Sequence, residues 1–233
     1  MKKFLMPLWA MSMVLLLVSP ASALQNNSFE FPDLAGDPPQ SSWGVDSWTV
    51  YYSATGLGNV GVWKPPSAKL VPVDGDQVAF VAGTVSEIET GWMYQNTGLT
   101  ITPGLTYTFG VYVGNGSDLP FLTNYNVSLR YLVDDTQYDI TEFRNLSAEE
   151  QIIPEEGGWE YVQVGFTALE GEGYIGKELR VVLAARGLAG SQIAWDNASL
   201  SPAPAPVPEP ATMFLLGSGL IGVGVFVRRK FKR

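Results

Sequence analysis

The chain of 233 residues carries 23 acidic and 14 basic side chains, a net charge of −9, with 46% hydrophobic and 12% aromatic residues and neither Cys nor His. That length suits one domain of ordinary size plus processing segments, and a charged fraction of 16% argues for a packed core rather than disorder. Without Cys or His there is no disulfide framework, no thiol nucleophile, no Cys/His zinc site and no Ser-His-Asp triad.

At the N-terminus, Lys2 and Lys3 precede the apolar stretch Phe4 to Val18, and Ala21-Ser22-Ala23 follows as a small-residue cleavage box. This order predicts a secretory signal peptide over residues 1–23, removed after Ala23. The body that follows, residues 24–200, holds 22 acidic and 7 basic side chains, a net charge of −15. Phosphate would repel such a body, so nucleic acid is excluded as a partner, whereas divalent cations and neutral or basic polymers remain open.

The body reads as strands. In TYTFGVYVG, Tyr107, Phe109, Val111 and Val113 fall on one face and Thr108, Gly110 and Tyr112 on the other. YNVSLRYLV sets Tyr125, Val127, Leu129, Tyr131 and Val133 against Asn126, Ser128 and Arg130, and WEYVQVGFTA buries Val162, Val164 and Phe166. Such period-two alternation marks half-buried antiparallel strands. Shorter strands are expected at SFEF, SWTVYY, QVAFVA, SEIETGWMYQ, ELRVVLAA and SQIAWDNASL, and turn residues such as Thr102-Pro103-Gly104 and Gly114-Asn115-Gly116 divide them. Only Asn145 to Ile152 looks helical. About nine short strands in this length predict an all-β fold, a two-sheet antiparallel β-sandwich of jelly-roll type.

Beyond the body, SPAPAPVPEP (residues 201–210) predicts a stiff polyproline spacer. The uncharged residues 211–227 would form roughly 25 Å of helix, marginal against a ~30 Å hydrocarbon core. Arg228, Arg229, Lys230, Lys232 and Arg233 form a basic stop signal, expected to stay cytoplasmic with the acidic body outside.

The proline-rich spacer, Pro208-Glu209-Pro210, the Gly-containing apolar helix and the basic cluster together resemble the PEP-CTERM sorting signal. That resemblance implies a membrane-bound exosortase-type protease as partner, cutting near Glu209. It also implies export to the cell surface or extracellular matrix of a Gram-negative, biofilm-forming bacterium. The order of NNSFE, Trp43 and Trp48, VDGDQVAF, TYTFGVYVG, Trp159 and the final WDNASL resembles the galactose-binding-like jelly roll of many carbohydrate-binding modules. In related modules the first and last strands lie together and often hold a structural Ca²⁺. The resemblance therefore nominates Glu30 and Asp196 as calcium ligands, with carbonyls near Asn27; the alternative is that Asp196 caps amides in a bulge. Sugar recognition would fall to exposed aromatics, for which Trp63, Trp92, Tyr94, Tyr112 and Tyr161 are candidates; aromatics also serve plain core packing.

Catalysis is not expected. A glycosidase needs two carboxylates about 5–9.5 Å apart across a cleft. The pairs Glu87/Glu89, Asp134/Asp135 and Glu149/Glu150 read as solvated charge. The expected function is a non-catalytic exported surface or matrix protein that binds exopolysaccharide, with a structural or self-associating matrix protein, or a glycan hydrolase, as alternatives.

Overall fold

A computed structural model describes residues 24–52, 59–82, 89–116, 120–122, 124–134, 136–145, 152–187 and 190–204. The leader with Ala21 and Ala23, residues 146–151 of the expected short helix, and everything from residue 205 onward, including the sorting motif, apolar segment and basic tail, lie outside the described residues. Among the described residues no helix is long and apolar enough to cross a membrane.

Eleven strands make two sheets. They are β1 (Gln40–Trp43), β2 (Thr49–Tyr52), β3 (Asn59–Lys64), β4 (Val78–Ala82), β5 (Glu89–Thr100), β6 (Leu105–Gly114), β7 (Asn124–Val133), β8 (Thr136–Arg144), β9 (Trp159–Thr167), β10 (Glu178–Gly187) and β11 (Gln192–Pro204). One sheet runs β1-β3-β4-β11-β6-β9 and the other β2-β5-β10-β7-β8, and neighbouring strands within each are antiparallel. The expected sandwich is therefore the observed fold.

The alternating apolar residues of β6, β7 and β9 meet between the sheets. Tyr107, Phe109, Val111, Val113, Tyr125, Val127, Leu129 and Val162 are buried there, with Leu179, Val181 and Leu183 of β10 and Ile193 and Trp195 of β11. Trp195 stands edge-on to Tyr125 of the opposite sheet, ring centroids 5.6 Å apart at 80°, an arrangement favoured by the aromatic quadrupole. β4 departs from alternation. Val78, Ala79, Phe80 and Val81 are all buried, because the connection from Pro65 to Gln77 folds over the outer side of the six-stranded sheet. Leu70 at its centre is packed with Trp63, Val78, Phe80 and Ala194.

Three expectations change. SFEF forms no strand: Phe29 sits at φ 58° and donates its N–H to Asn26 O at 3.2 Å, so the segment turns instead of extending. Two buried glutamines dock it. Gln95 exchanges hydrogen bonds with the Gln25 backbone, and Gln77 accepts from Leu34 N–H and donates to Pro32 O. Three strands lie outside the expected set: β1 and β3 extend the six-stranded sheet beyond β4, and β8 continues the five-stranded sheet beside β7. Finally, β11 does not stop at Leu200 but pairs with β6 through Pro204, so residues 201–204 belong to the sheet rather than to the spacer. Pro202 and Pro204 lack an N–H, yet β4 pairs only with residues 192–195 of β11, which leaves an open side where no donor is needed.

Candidate functional site

Two places on the body bring polar side chains together. The first is the outer face of the five-stranded sheet. Residues of β5, β10 and β7 in the phase opposite to the core point outward here: Trp92 and Tyr94, then Arg180 to Arg186 at even positions, then Asn124 to Arg130. Trp92, Asn124, Asn126, Arg130 and Arg186 of this face, with Gln137, Glu142 and Arg144 of β8, enclose a cleft of about 350 Å³, at the small end of the ~300–1,000 Å³ typical of ligand pockets. Val182 and Ala184 line it as small apolar residues, and Trp92 lines one side. Tyr51 of β2 stacks on Trp92 with centroids 4.2 Å apart and planes 11° from parallel, which stiffens the indole. Beside it, the Arg180 guanidinium lies 3.9 Å above the Tyr94 ring, and Arg180 Nε donates to Asn96 Oδ1 at 2.7 Å.

Across the cleft stands a polar wall. Glu142 of β8 is ion-paired with Arg144 and accepts a hydrogen bond of 2.7 Å from Asn126 Nδ2. Arg130 pairs with Asp139 at 2.6 Å. The Arg144 guanidinium is held charged more firmly than usual by its hydrogen bond to Glu142, then by the charge of that carboxylate. On the core side of the same sheet, Tyr125 donates to Ile152 O, and burial, with the Glu160 charge second, pushes its hydroxyl pKa well up, so it stays protonated.

The second place lies on the opposite side of the molecule. The β11–β6 register slips between Asp196 and Ser199, with Asn197 at φ 46°, so β11 bulges. The bulge leaves Asp196 fully buried while Trp195 and Ala198 remain in the core. Asp196 Oδ2 accepts the N–H groups of Val73 at 2.6 Å and Asp74 at 3.0 Å, and its Oδ1 accepts that of Asn197. Glu30 Oε1 accepts those of Asp76 and Gln77, at 3.1 and 3.0 Å. Both carboxylates thus grip one loop, Val73 to Gln77. Gly75 makes this possible: its φ is +68°, and a Cβ there would lie 2.2 Å from Glu30 Oε1. Burial pushes Asp196 up to about 7; the backbone amides of Asp74, Asn197 and Val73 pull it down, and the nearby Glu30 charge raises it further.

The structure places the sequence candidates in three groups. Trp92 and Tyr94 share the cleft face. Tyr112, Tyr161 and Trp63 belong to the other sheet, so the five aromatics do not form one platform. Tyr161 lies across Gly110, where a Cβ would come 1.8 Å from its hydroxyl, and Tyr112 tilts against it at 5.0 Å. Trp63 is buried under the strap of residues 65–77. Glu30 and Asp196 lie close together, and the Asn27 carbonyl accepts Ala198 N–H at 2.7 Å. Among the described residues no group of three or more acidic side chains gathers to hold a metal.

Sequence reasoning missed Asn126, Glu142, Arg144 and Arg186 as cleft residues, and Tyr51 as the ring stacked on Trp92. Asn126 was legible as part of the polar face of β7. Glu142 and Arg144 were hidden because β8 was not read as a strand.

Comparison with known proteins adds kinship. Residues 20–201 match the HpiC1-like family, described as HpiC1 cyclase. The chain belongs to that family. Residues 206–230 match the PEP-CTERM protein-sorting motif, which marks an exported protein handed to exosortase-type processing. Among solved structures, a Stig cyclase, FisC of Fischerella sp. TAU in complex with (3Z)-3-(1-methyl-2-pyrrolidinylidene)-3H-indole, is 23% identical at TM-score 0.65, over 80% of this chain and 100% of its own. The enzymatically active domain of tailspike protein 4 of bacteriophage CBA120 is 12% identical at TM-score 0.53, over 78% of this chain and 21% of its own. TmCBM61 in complex with β-1,4-galactotriose is 15% identical at TM-score 0.45, over 78% of this chain and 99% of its own. No curated protein sequence matches the chain. At these identities the structural likeness is one of fold. This HpiC1-like protein therefore carries a family sandwich and a sorting signal on one chain.

Proposed function

We propose that this HpiC1-like chain is a non-catalytic protein of the cell surface or extracellular matrix of a Gram-negative bacterium, which holds exopolysaccharide in the cleft of its five-stranded sheet. One observation carries the reading: an exposed-face cleft with a stacked Tyr51–Trp92 pair on one side and the Asn126–Glu142–Arg144 cluster on the other. An indole face suits the C–H surface of a sugar ring, and the amide and ion pair supply donors and acceptors for hydroxyls. Both sides stand on strands, so the spacing is set before the ligand arrives. Export follows from the sorting motif. Affinity electrophoresis of the purified chain through gels containing bacterial exopolysaccharides tests the reading. Retardation by at least one polymer, reduced in Trp92→Ala, is expected; no retardation by any polymer would overturn it.

Family membership favours a second reading, cyclase-type catalysis. It is tested by titrating the protein with the indole compound bound to FisC. Saturable binding of that compound in the absence of any glycan binding would replace the first reading with the second.

Calcium is proposed as a structural ligand of Glu30 and Asp196, with the Asn27 carbonyl as a third oxygen. The support is the oxygen chemistry of a fully buried carboxylate near a second one; a Ca²⁺ there would compete with the N–H groups of Val73, Asp74, Asn197, Asp76 and Gln77, which these carboxylates accept as the amide-capping alternative expects. A bound Ca²⁺ would add RT ln(1 + [L]/Kd) to stability, about 2.7 kcal/mol at a hundredfold excess over Kd. Thermal melts with Ca²⁺ should exceed those in EDTA by several degrees, and Asp196→Asn should abolish the difference. Identical melts would remove calcium from the account.

A further inference from the structure

We propose that the cleft selects an acidic polysaccharide, one whose sugars carry carboxylates, over a neutral one. The inference rests on the glycan reading and adds the charge of the ligand to it. Residues 24–200 contain four arginines, Arg130, Arg144, Arg180 and Arg186, and all four lie on the outer face of the five-stranded sheet. Three of them, Arg130, Arg144 and Arg186, line the cleft, against one carboxylate, Glu142. The rest of the same body carries 21 acidic against 4 basic side chains. A positive pocket in so negative a domain is a local arrangement that the net charge works against.

The pattern of pairing points the same way. Asp139 offsets Arg130 at the rim, and Glu142 offsets Arg144. Arg186, exposed at the end of the cleft on β10, has no ion-pair partner among the described residues. The body's three lysines are elsewhere, and Lys64 pairs with Asp76 near the opposite face. A guanidinium presents a planar fork of donors that matches a carboxylate in two parallel hydrogen bonds, which a lysine cannot do. A uronic acid residue stacked on Trp92 would set its hydroxyls toward Asn126 and Glu142 and its carboxylate toward Arg186. Because the surrounding surface is negative, a polyanion gains only at close range, where the field of the cleft outweighs that of the domain. Its affinity should therefore fall with salt as the Debye length shrinks below about 10 Å.

The experiment compares polygalacturonate, alginate and polyglucuronate with their carboxyl-reduced counterparts, using the purified full chain in affinity electrophoresis and calorimetry. Binding to at least one polyuronate is expected, weakened about tenfold or more by carboxyl reduction and about tenfold by Arg186→Gln. Trp92→Ala should weaken charged and neutral forms alike, and the melting temperature of each variant checks that it folds. Equal binding of a polymer and its reduced form, or indifference to Arg186→Gln, overturns charge selection and leaves the glycan reading standing. Binding to none of the polymers overturns both.

Discussion

The two outer faces of the sandwich carry aromatic side chains in similar number and use them differently. On the six-stranded sheet Trp63 is covered by the strap and the Trp159 ring packs where a Gly114 Cβ would stand, while Tyr161, lying across Gly110, is 43% exposed and Trp43 on β1 is 61% exposed. On the five-stranded sheet Trp92 is held by Tyr51 beside a cleft. An aromatic residue in a strand thus reports little until one knows what its neighbours across the ladder are. Gly114 stands opposite Trp159, whose ring lies down over it, whereas Tyr51 stands opposite Trp92 and the two rings stack.

That contrast can be broken at several points. The largest effect is expected from Gly75→Ala, which forces a side chain into a left-handed position and against Glu30. It should destabilise the strap by about 2–3 kcal/mol, lowering Tm by roughly 5–10 °C in a scanning melt, while affinity at the cleft stays unchanged at 25 °C. Next, Trp92→Ala should weaken glycan binding about thirtyfold, the effect of losing an aromatic anchor worth about 2 kcal/mol. Tyr161→Ala and Tyr112→Ala, measured beside it, should change affinity less than twofold; a loss in either equal to that of Trp92→Ala would show that the six-stranded face is the binding face. Asn126→Ala leaves Glu142 with Arg144 alone and should weaken binding by about 1 kcal/mol, a few-fold in Kd by calorimetry. The smallest effect is expected from Ser199→Ala, which removes only long contacts of 3.4 Å to Tyr161 and Gly110 and should shift Tm by about 1 °C or less.

Much of this was legible in the sequence, for a physical reason. β6, β7 and β9 alternate because each has one face on the core, and the sets read for them are buried except Tyr131, Val133 and Phe166, which are half-buried toward the strand ends. β8 escaped because its ladder with β7 slips between Leu129 and Arg130, so Tyr138 and Phe143 fall out of phase and the period-two signal is lost. With β8 went Glu142 and Arg144, half of the cleft wall. The nearness of Glu30 and Asp196 agrees with the likeness of the chain's two ends to a known fold, but the segment that carries Glu30 is a turn and not a first strand. The loop they grip was not foreseen, since backbone amides leave no mark in a sequence beyond the glycine that lets them turn inward. Gly110 and Gly114 were present as signals too: an interior strand glycine announces a close approach, here by the rings of β9.

The continuation of β11 to Pro204 has a mechanical consequence. The sorting segment begins at residue 206, so almost no slack separates it from the middle of a sheet. If the processed end is fixed to the cell and the polymer is dragged by flow, tension runs along β11 and shears it against antiparallel β6. Hydrogen bonds from the Ala194–Gly114 pair to the Pro204–Leu105 pair then bear the load together instead of unzipping in turn. Under that load the domain would be pulled from the end at which it is sorted.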